Sequence, residues 1–149
     1  MKNITSIRFC FNDNTYFEYR ESSLKLEKLL DIAWSEKEKD NYFHKKGKGI
    51  FMVTNGFLVG EALWAEDSKT TVNSISTIIH KPCQGKGYGK LLRSFMYQYL
   101  KMLGYKYVTG TAKSGSAISM IKSFGAKIYK AQKNLNNSGN TYYAYKQKL

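Results

Sequence analysis

Residues 78–92 read Ile78-Ile79-His80-Lys81-Pro82-Cys83-Gln84-Gly85-Lys86-Gly87-Tyr88-Gly89-Lys90-Leu91-Leu92. Three glycines at alternate positions, with Lys86 among them and Lys90 after them, join a Val/Ile/Thr-rich run to an apolar helical pattern. A helix N-terminus exposes backbone N–H groups that have no intrahelical acceptor and carries a partial positive charge. Glycine removes the Cβ that would keep an anion away from those amides. The stretch therefore suits a phosphate, with Gln84, Lys86 and Lys90 as rim donors. It also suits a plain strand-to-helix turn. Two familiar phosphate loops do not fit. The triphosphate pattern G-x-x-x-x-G-K-[ST] lacks both its spacing and its hydroxyl here. The dinucleotide pattern G-x-G-x-x-G would need glycine where Lys90 stands.

Working outward, Thr71 to His80 reads as the strand before the loop. Gly89 to Leu103 carries Leu91, Leu92, Phe95, Met96, Tyr99, Leu100 and Leu103 at helical spacing, with Gly104 as its stop. Upstream, Ile50–Val53 and Phe57–Trp64 flank Thr54-Asn55-Gly56, and Asn-Gly between apolar runs is a strong hairpin signal. Ile4–Phe11 and Thr15–Tyr19 flank the turn cluster Asn12-Asp13-Asn14 and predict an opening hairpin. Ser22 or Ser23 caps a predicted helix with Leu24, Leu26, Leu29, Leu30, Ala33 and Trp34 on its apolar face. A charged segment, Glu36 to His44, continues it, and Lys45 to Gly49 forms a basic loop. Downstream, Tyr105–Thr109 reads as a strand and Ala117–Phe124 as a helix stopped by Gly125. Ala126–Ala131 and Thr141–Tyr145 read as strands joined by the polar stretch 134–140. The order predicts one mixed α/β domain over residues 1–149, without repeats or linkers.

Bulk properties bound the function. The 149 residues are 42% hydrophobic and 15% aromatic, which supplies a core and argues against disorder. No run approaches the ~18 apolar residues of a membrane span, and the N-terminus lacks signal-peptide character. Cys10 and Cys83 read as free thiols in a reducing compartment, so the expected location is the cytoplasm. Together with His44 and His80 they lack zinc spacing, and no metal is expected. The net charge of +13 implies a field that attracts anions: nucleic acid, an acidic protein or a phosphorylated cofactor. Dispersed, solvated lysines would give the same number.

Gln84, Gly87 and Gly89 match the [Q/R]-x-x-G-x-[G/A] signature that follows a strand in the GNAT superfamily of acyl-CoA N-acyltransferases, and Leu91-Leu92 opens the helix as it often does there. The sequence resembles that family in element order along the chain, and most sharply between Asn73 and Gly125. The resemblance implies a single GNAT domain. Its central sheet would be mostly antiparallel and splayed, with six to seven strands flanked by helices. It implies acetyl-CoA as co-substrate and no metal. The amides of Gly85, Lys86, Gly87, Tyr88, Gly89 and Lys90 would hold the pyrophosphate, with Gln84 shaping the loop. The strand end Ile79, His80 and Lys81 would lie along the cofactor arm, with a backbone donor near the thioester. Ser114 takes the place of an asparagine that contacts that arm.

Two departures matter. The position where family members carry a proton-donating tyrosine, four residues before Gly125, is Ile121. Tyr88, Tyr142, Tyr143 and Tyr145 are alternatives. The strand before the loop has no glutamate between Asn73 and Thr77. Glu61 and His80 are then the candidate bases, with Glu66 and Asp67 behind them and a water chain as a third route. Cys83 reads as a space-filling thiol. The implied activity is acetyl transfer to a primary amine by direct attack. The acceptor remains open, and the charge admits tRNA, a modified DNA base or an acidic protein. The alternative is a degenerate module of the same fold that binds CoA or nucleic acid without turnover. Monomer and homodimer are both compatible.

Overall fold

A computed structural model describes residues 6–21, 48–113, 115–133 and 141–149. The predicted helices between Ser22 and His44, the basic loop to Gly47, and the polar stretch 134–140 lie outside the described residues. The described chain forms two compact units, Met1–Glu66 with Ile75–Met96, and Asp67–Ser74 with Tyr97–Leu149.

The first unit holds β1 (Ser6–Cys10), β2 (Thr15–Glu21), β3 (Lys48–Thr54), β4 (Phe57–Glu66), most of β5 (Thr71–Ile79) and the start of α1 (Tyr88–Met102). Its strands lie in the order β1-β2-β3-β4-β5. The β1–β2, β2–β3 and β3–β4 ladders are antiparallel. Both predicted hairpins form. Asn12 accepts the Asn14 N–H through its side chain at 2.9 Å, closing the first turn. Asn55 and Gly56 both take positive φ, 52° and 78°, as a two-residue hairpin turn requires. Phe9, Phe17 and Phe95 hold α1 to the sheet, with Phe17 and Phe95 stacked at 4.2 Å between ring centres. Ile50, Met52, Ala62, Leu92 and Met96 are buried.

The second unit holds the first residues of β5, then β6 (Tyr107–Ala112), α2 (Gly115–Ser123), β7 (Lys127–Lys133) and β8 (Thr141–Lys148). Its order is β5-β6-β8-β7. The β6–β8 and β7–β8 ladders are antiparallel, whereas β5 and β6 run parallel over three pairs, Thr71–Asn73 with Tyr107–Thr109. Ile121 of α2 is buried with Ala112, Ala126 and Tyr145. Gly110 lets the Tyr145 ring lie on the β6 backbone, since a Cβ there would come within 2.6 Å of Tyr145 Oη.

Helix ends follow the glycines. Gly104 (φ 99°) ends α1, and Tyr105 N–H donates back to Leu100 O. That bond keeps Tyr105 out of the next strand, and β6 begins at Tyr107 rather than at Tyr105 as expected. Gly125 (φ 86°) ends α2 in the same way, with Ala126 N–H on Ile121 O. The opening hairpin contributes two full strands, which brings the number to eight rather than six or seven. No described helix is long and apolar enough to cross a membrane.

Candidate active site

The site is built inside the first unit, where β4 meets the end of β5. Along β3–β4 the register slips by one residue. Met52 faces Gly60 and Val53 faces Leu58, so Val59 is the extra residue of a bulge. Bulges re-aim the side chains that follow them. Val59 O accepts the N–H of His80 at 2.8 Å, which ties the end of β5 to this kink. Gly60 allows the close approach. A Cβ on it would lie 2.5 Å from Ile78 O and 2.6 Å from Ile79 Cδ1.

Directly after the bulge comes Glu61, whose exposure is 0%. Neither of its carboxyl oxygens has a hydrogen-bond partner among the described residues, and the same is true of the buried Nε2 of His80. These groups face one another, His80 Nε2 lying 3.6 Å from Glu61 Oε2. That is too long for a hydrogen bond but close enough for strong charge coupling. Burial pushes the Glu61 carboxyl up to about 8, because ionising it would place an unsolvated charge in the interior. His80 is the member of the pair that reaches solvent, with 27% of its side chain exposed. The sequence named both residues but gave no reason to pair them.

A short turn joins Ile79 to the glycine loop. Lys81–Cys83 form a single 3₁₀ turn with Pro82 in its first positions, closed by Cys83 N–H on His80 O at 2.8 Å. Gln84 then reaches back, its side-chain amide donating to Ile79 O at 2.9 Å. N–H and C=O groups alternate sides along a strand. With His80 N–H turned to β4, the N–H and C=O of Ile79 face the opposite edge, where Gln84 sits.

Gly85 and Gly87 take φ of 79° and 80°, and a Cβ on either would meet nothing within 4 Å. They are needed for backbone conformation and leave open space above the loop. Gly89 falls within α1 and takes no positive φ. Leu91 N–H donates to Gly87 O at 3.2 Å, so the amides of Gly87, Tyr88, Gly89 and Lys90 precede the first intrahelical donor. No acidic side chain stands in the first turn of α1, and Lys81, Lys86 and Lys90 are exposed around it. The arrangement suits an anion.

Other candidates fall elsewhere. Ser114 lies outside the described residues. Ile121 and Tyr145 are packed in the interior of the second unit, Tyr88 is half-buried at the start of α1, and Tyr142 and Tyr143 are half-buried on β8. Glu66 and Asp67 are exposed, and Asp67 N–H closes the turn to Thr71 O at 3.0 Å. Cys83 is partly buried and Cys10 is exposed, both as free thiols. Sequence reasoning passed over Arg93, which is 8% exposed and donates through Nη2 to Thr77 Oγ1 at 2.9 Å. Its signal was present, since Arg93 shares a helical stripe with Met96, Tyr97 and Leu100.

No protein-family model and no curated protein sequence matches the chain. Solved structures do. A GNAT-family acetyltransferase from Elizabethkingia anophelis with acetyl-CoA bound is similar over 100% of both chains, with a TM-score of 0.73 at 16% identity. The ribosomal-protein-S18-alanine N-acetyltransferase of Escherichia coli is similar over 89% of this chain and 93% of its own, with a TM-score of 0.72 at 12% identity. Naa50 of Arabidopsis thaliana, solved with the bisubstrate analogue CoA-Ac-MVNAL, is similar over 89% and 99%, with a TM-score of 0.68 at 15% identity. The chain has the GNAT acetyltransferase fold.

Proposed function

We propose that the protein transfers an acetyl group from acetyl-CoA to a primary amine by direct attack, with no metal. The observation that carries this reading is the junction of β5 and α1. Two positive-φ glycines open a ring of unclaimed amides there, and Gln84 fastens the loop to the strand beside a buried acid–imidazole pair. The amides from Gly85 to Lys90 and the lysines 81, 86 and 90 would hold the pyrophosphate of the co-substrate. The N–H of Ile79 would donate to the acetyl carbonyl oxygen, where negative charge develops as the amine attacks.

An attacking amine must shed a proton. Glu61 has no exposed surface, so it cannot touch an acceptor itself. His80 is the exposed partner and takes the proton as general base, while the ionised Glu61 carboxylate steadies the imidazolium that forms. The pair works as a base once its last proton is gone. Since burial holds that proton on Glu61 to about pH 8, the rate rises through that pH. The thiolate of CoA is an adequate leaving group near neutrality, which fits a buried isoleucine at position 121. The net charge of +13 favours an anionic acceptor.

The same Ile121 favours a second reading, a module that binds CoA without turnover. Titration calorimetry with acetyl-CoA, on the wild type and on Gly87→Glu, tests the reading common to both. Micromolar binding that the variant loses is expected, because a glutamate would carry bulk and negative charge into the loop. A folded wild type that releases no heat and gains no thermal stability would end both readings. Free-thiol release with an amine panel then separates enzyme from module.

A further inference from the structure

Charge is divided unevenly along the chain. All eleven acidic residues lie at or before Asp67, and the segment from Ser68 to Leu149 carries fourteen basic residues and no Asp or Glu. The first 67 residues are close to neutral. The second unit contains ten lysines and a single acid, Asp67. The second unit thus carries +9 of the net +13 and the first unit +4, and an excess weighted this way is a field directed at a polyanion rather than a dispersed solubility charge.

Strand register shows where part of that charge is presented. Tyr145 and its ladder partners Gly110 and Ile128 face α2. The alternate residues therefore make up the other face of β6–β8–β7. On it Lys148 pairs with Tyr107, Lys146 with both Thr109 and Lys127, Ala144 with Thr111 and Lys130, and Tyr142 with Gln132. Lys127, Lys130, Lys146 and Lys148 are all exposed. Between them lie the half-buried rings of Tyr107 and Tyr142, and the Lys146 ammonium stands 4.3 Å from the centre of the Tyr107 ring.

Protection of a sheet edge accounts for lysines on β7, the outermost strand, but not for those on β8, which is paired on both sides. Nor does folding explain why Lys127 and Lys146 stand directly opposite one another, because like charges facing across a ladder are destabilising. A bound polyanion would relieve that repulsion. Cations spaced about 7 Å apart along a strand, with aromatic rings between them, suit a backbone of phosphates whose bases are free to stack.

We propose that this face of β6–β8–β7 binds single-stranded nucleic acid, with Lys127, Lys130, Lys146 and Lys148 on its phosphates and Tyr107 and Tyr142 against its bases. The acetyl-transfer reading is not needed for this, and binding is measured without acetyl-CoA, so either proposal can fail alone. The experiment is fluorescence anisotropy of the full chain with a labelled oligouridylate of about 20 nucleotides. Four phosphate contacts should weaken affinity about 50-fold as salt rises from about 50 to 200 mM. The fourfold Lys→Gln variant of the face should bind about tenfold or more weakly at low salt and lose most of that salt dependence. A fourfold Lys→Arg variant at the same positions should bind as the wild type does, which separates lost charge from lost folding. Lys→Gln at Lys69, Lys101, Lys113 and Lys122 removes equal charge elsewhere in the unit and should leave affinity within about threefold. An equal loss in that control would overturn the site. Equal or tighter binding of a duplex, or of polyglutamate, would overturn the partner. Failure of the wild type to bind at low salt would overturn both.

Discussion

Two glutamates stand in one cross-strand row of the first unit. Arg8 faces Glu18, Glu18 faces Phe51, and Phe51 faces Glu61. Both acids are buried, at 6% and 0% exposure. Glu18 receives the Arg20 Nε–H at 2.8 Å and a second bond from Arg20 Nη2, with Arg8 at 3.6 Å. Among the described residues Glu61 has only the imidazole of His80, at 3.6 Å and without a hydrogen bond. A buried carboxylate that is fully paired is an element of structure. One that is left unsatisfied is costly to ionise, and such sites are retained where a proton has to move.

The sharpest test of that contrast is the rate. Glu61→Gln should lower kcat about 100- to 1,000-fold with acetyl-CoA affinity retained, whereas Glu18→Gln should leave kcat within about twofold. A fully active Glu61→Gln enzyme would break the comparison. His80→Gln comes next. Loss of the proton acceptor should cost about 100-fold in kcat and abolish the rise in rate through pH 8. An unchanged pH profile would reduce His80 to a packing residue.

The comparison reverses in stability. Urea unfolding of Glu18→Gln should show a loss of about 1–3 kcal/mol, because two arginines are left facing a neutral amide. Glu61→Gln should lose nothing at pH 5, where the wild-type carboxyl is already neutral. The same contrast extends to pH dependence. The unfolded chain releases the Glu61 proton near 4.5, whereas the folded protein holds it to about 8. Between these values the folded state binds more protons, so this group makes stability fall as pH rises from about 5 to 8. Glu61→Gln should flatten that decline. A decline that persists in the variant would place the buried charge elsewhere.

Much of this was legible in the sequence where local chemistry decides the outcome. Asn55-Gly56 can close a two-residue hairpin, Gly104 and Gly125 can end helices in a left-handed step, and the Gln84–Lys90 stretch can turn a strand into an open helix N-terminus. Each depends on neighbours a few residues away. The pairing of Glu61 with His80 depends on a bulge at Val59, which only strand register reveals. Arg93 was missed because a charged residue inside an apolar stripe reads as a surface interruption until its partner, sixteen residues upstream, is in place. The resemblance implied six to seven strands, whereas all eight segments read as strands from their own residues form, the opening hairpin included. Ser114 and the segment around the predicted first helix lie outside the described residues.

The sequence by itself determined the element order, the turn chemistry, the glycine loop at the helix N-terminus and the concentration of positive charge after Asp67. These follow from backbone torsion preferences and from a sum over charges, both local or additive. Only the tertiary structure decided which acid is satisfied and which is not, and which lysines share a face of β6–β8–β7. Those outcomes rest on register. A shift of one residue in a strand moves every side chain to the other face, and no local preference records which register the folded sheet selects.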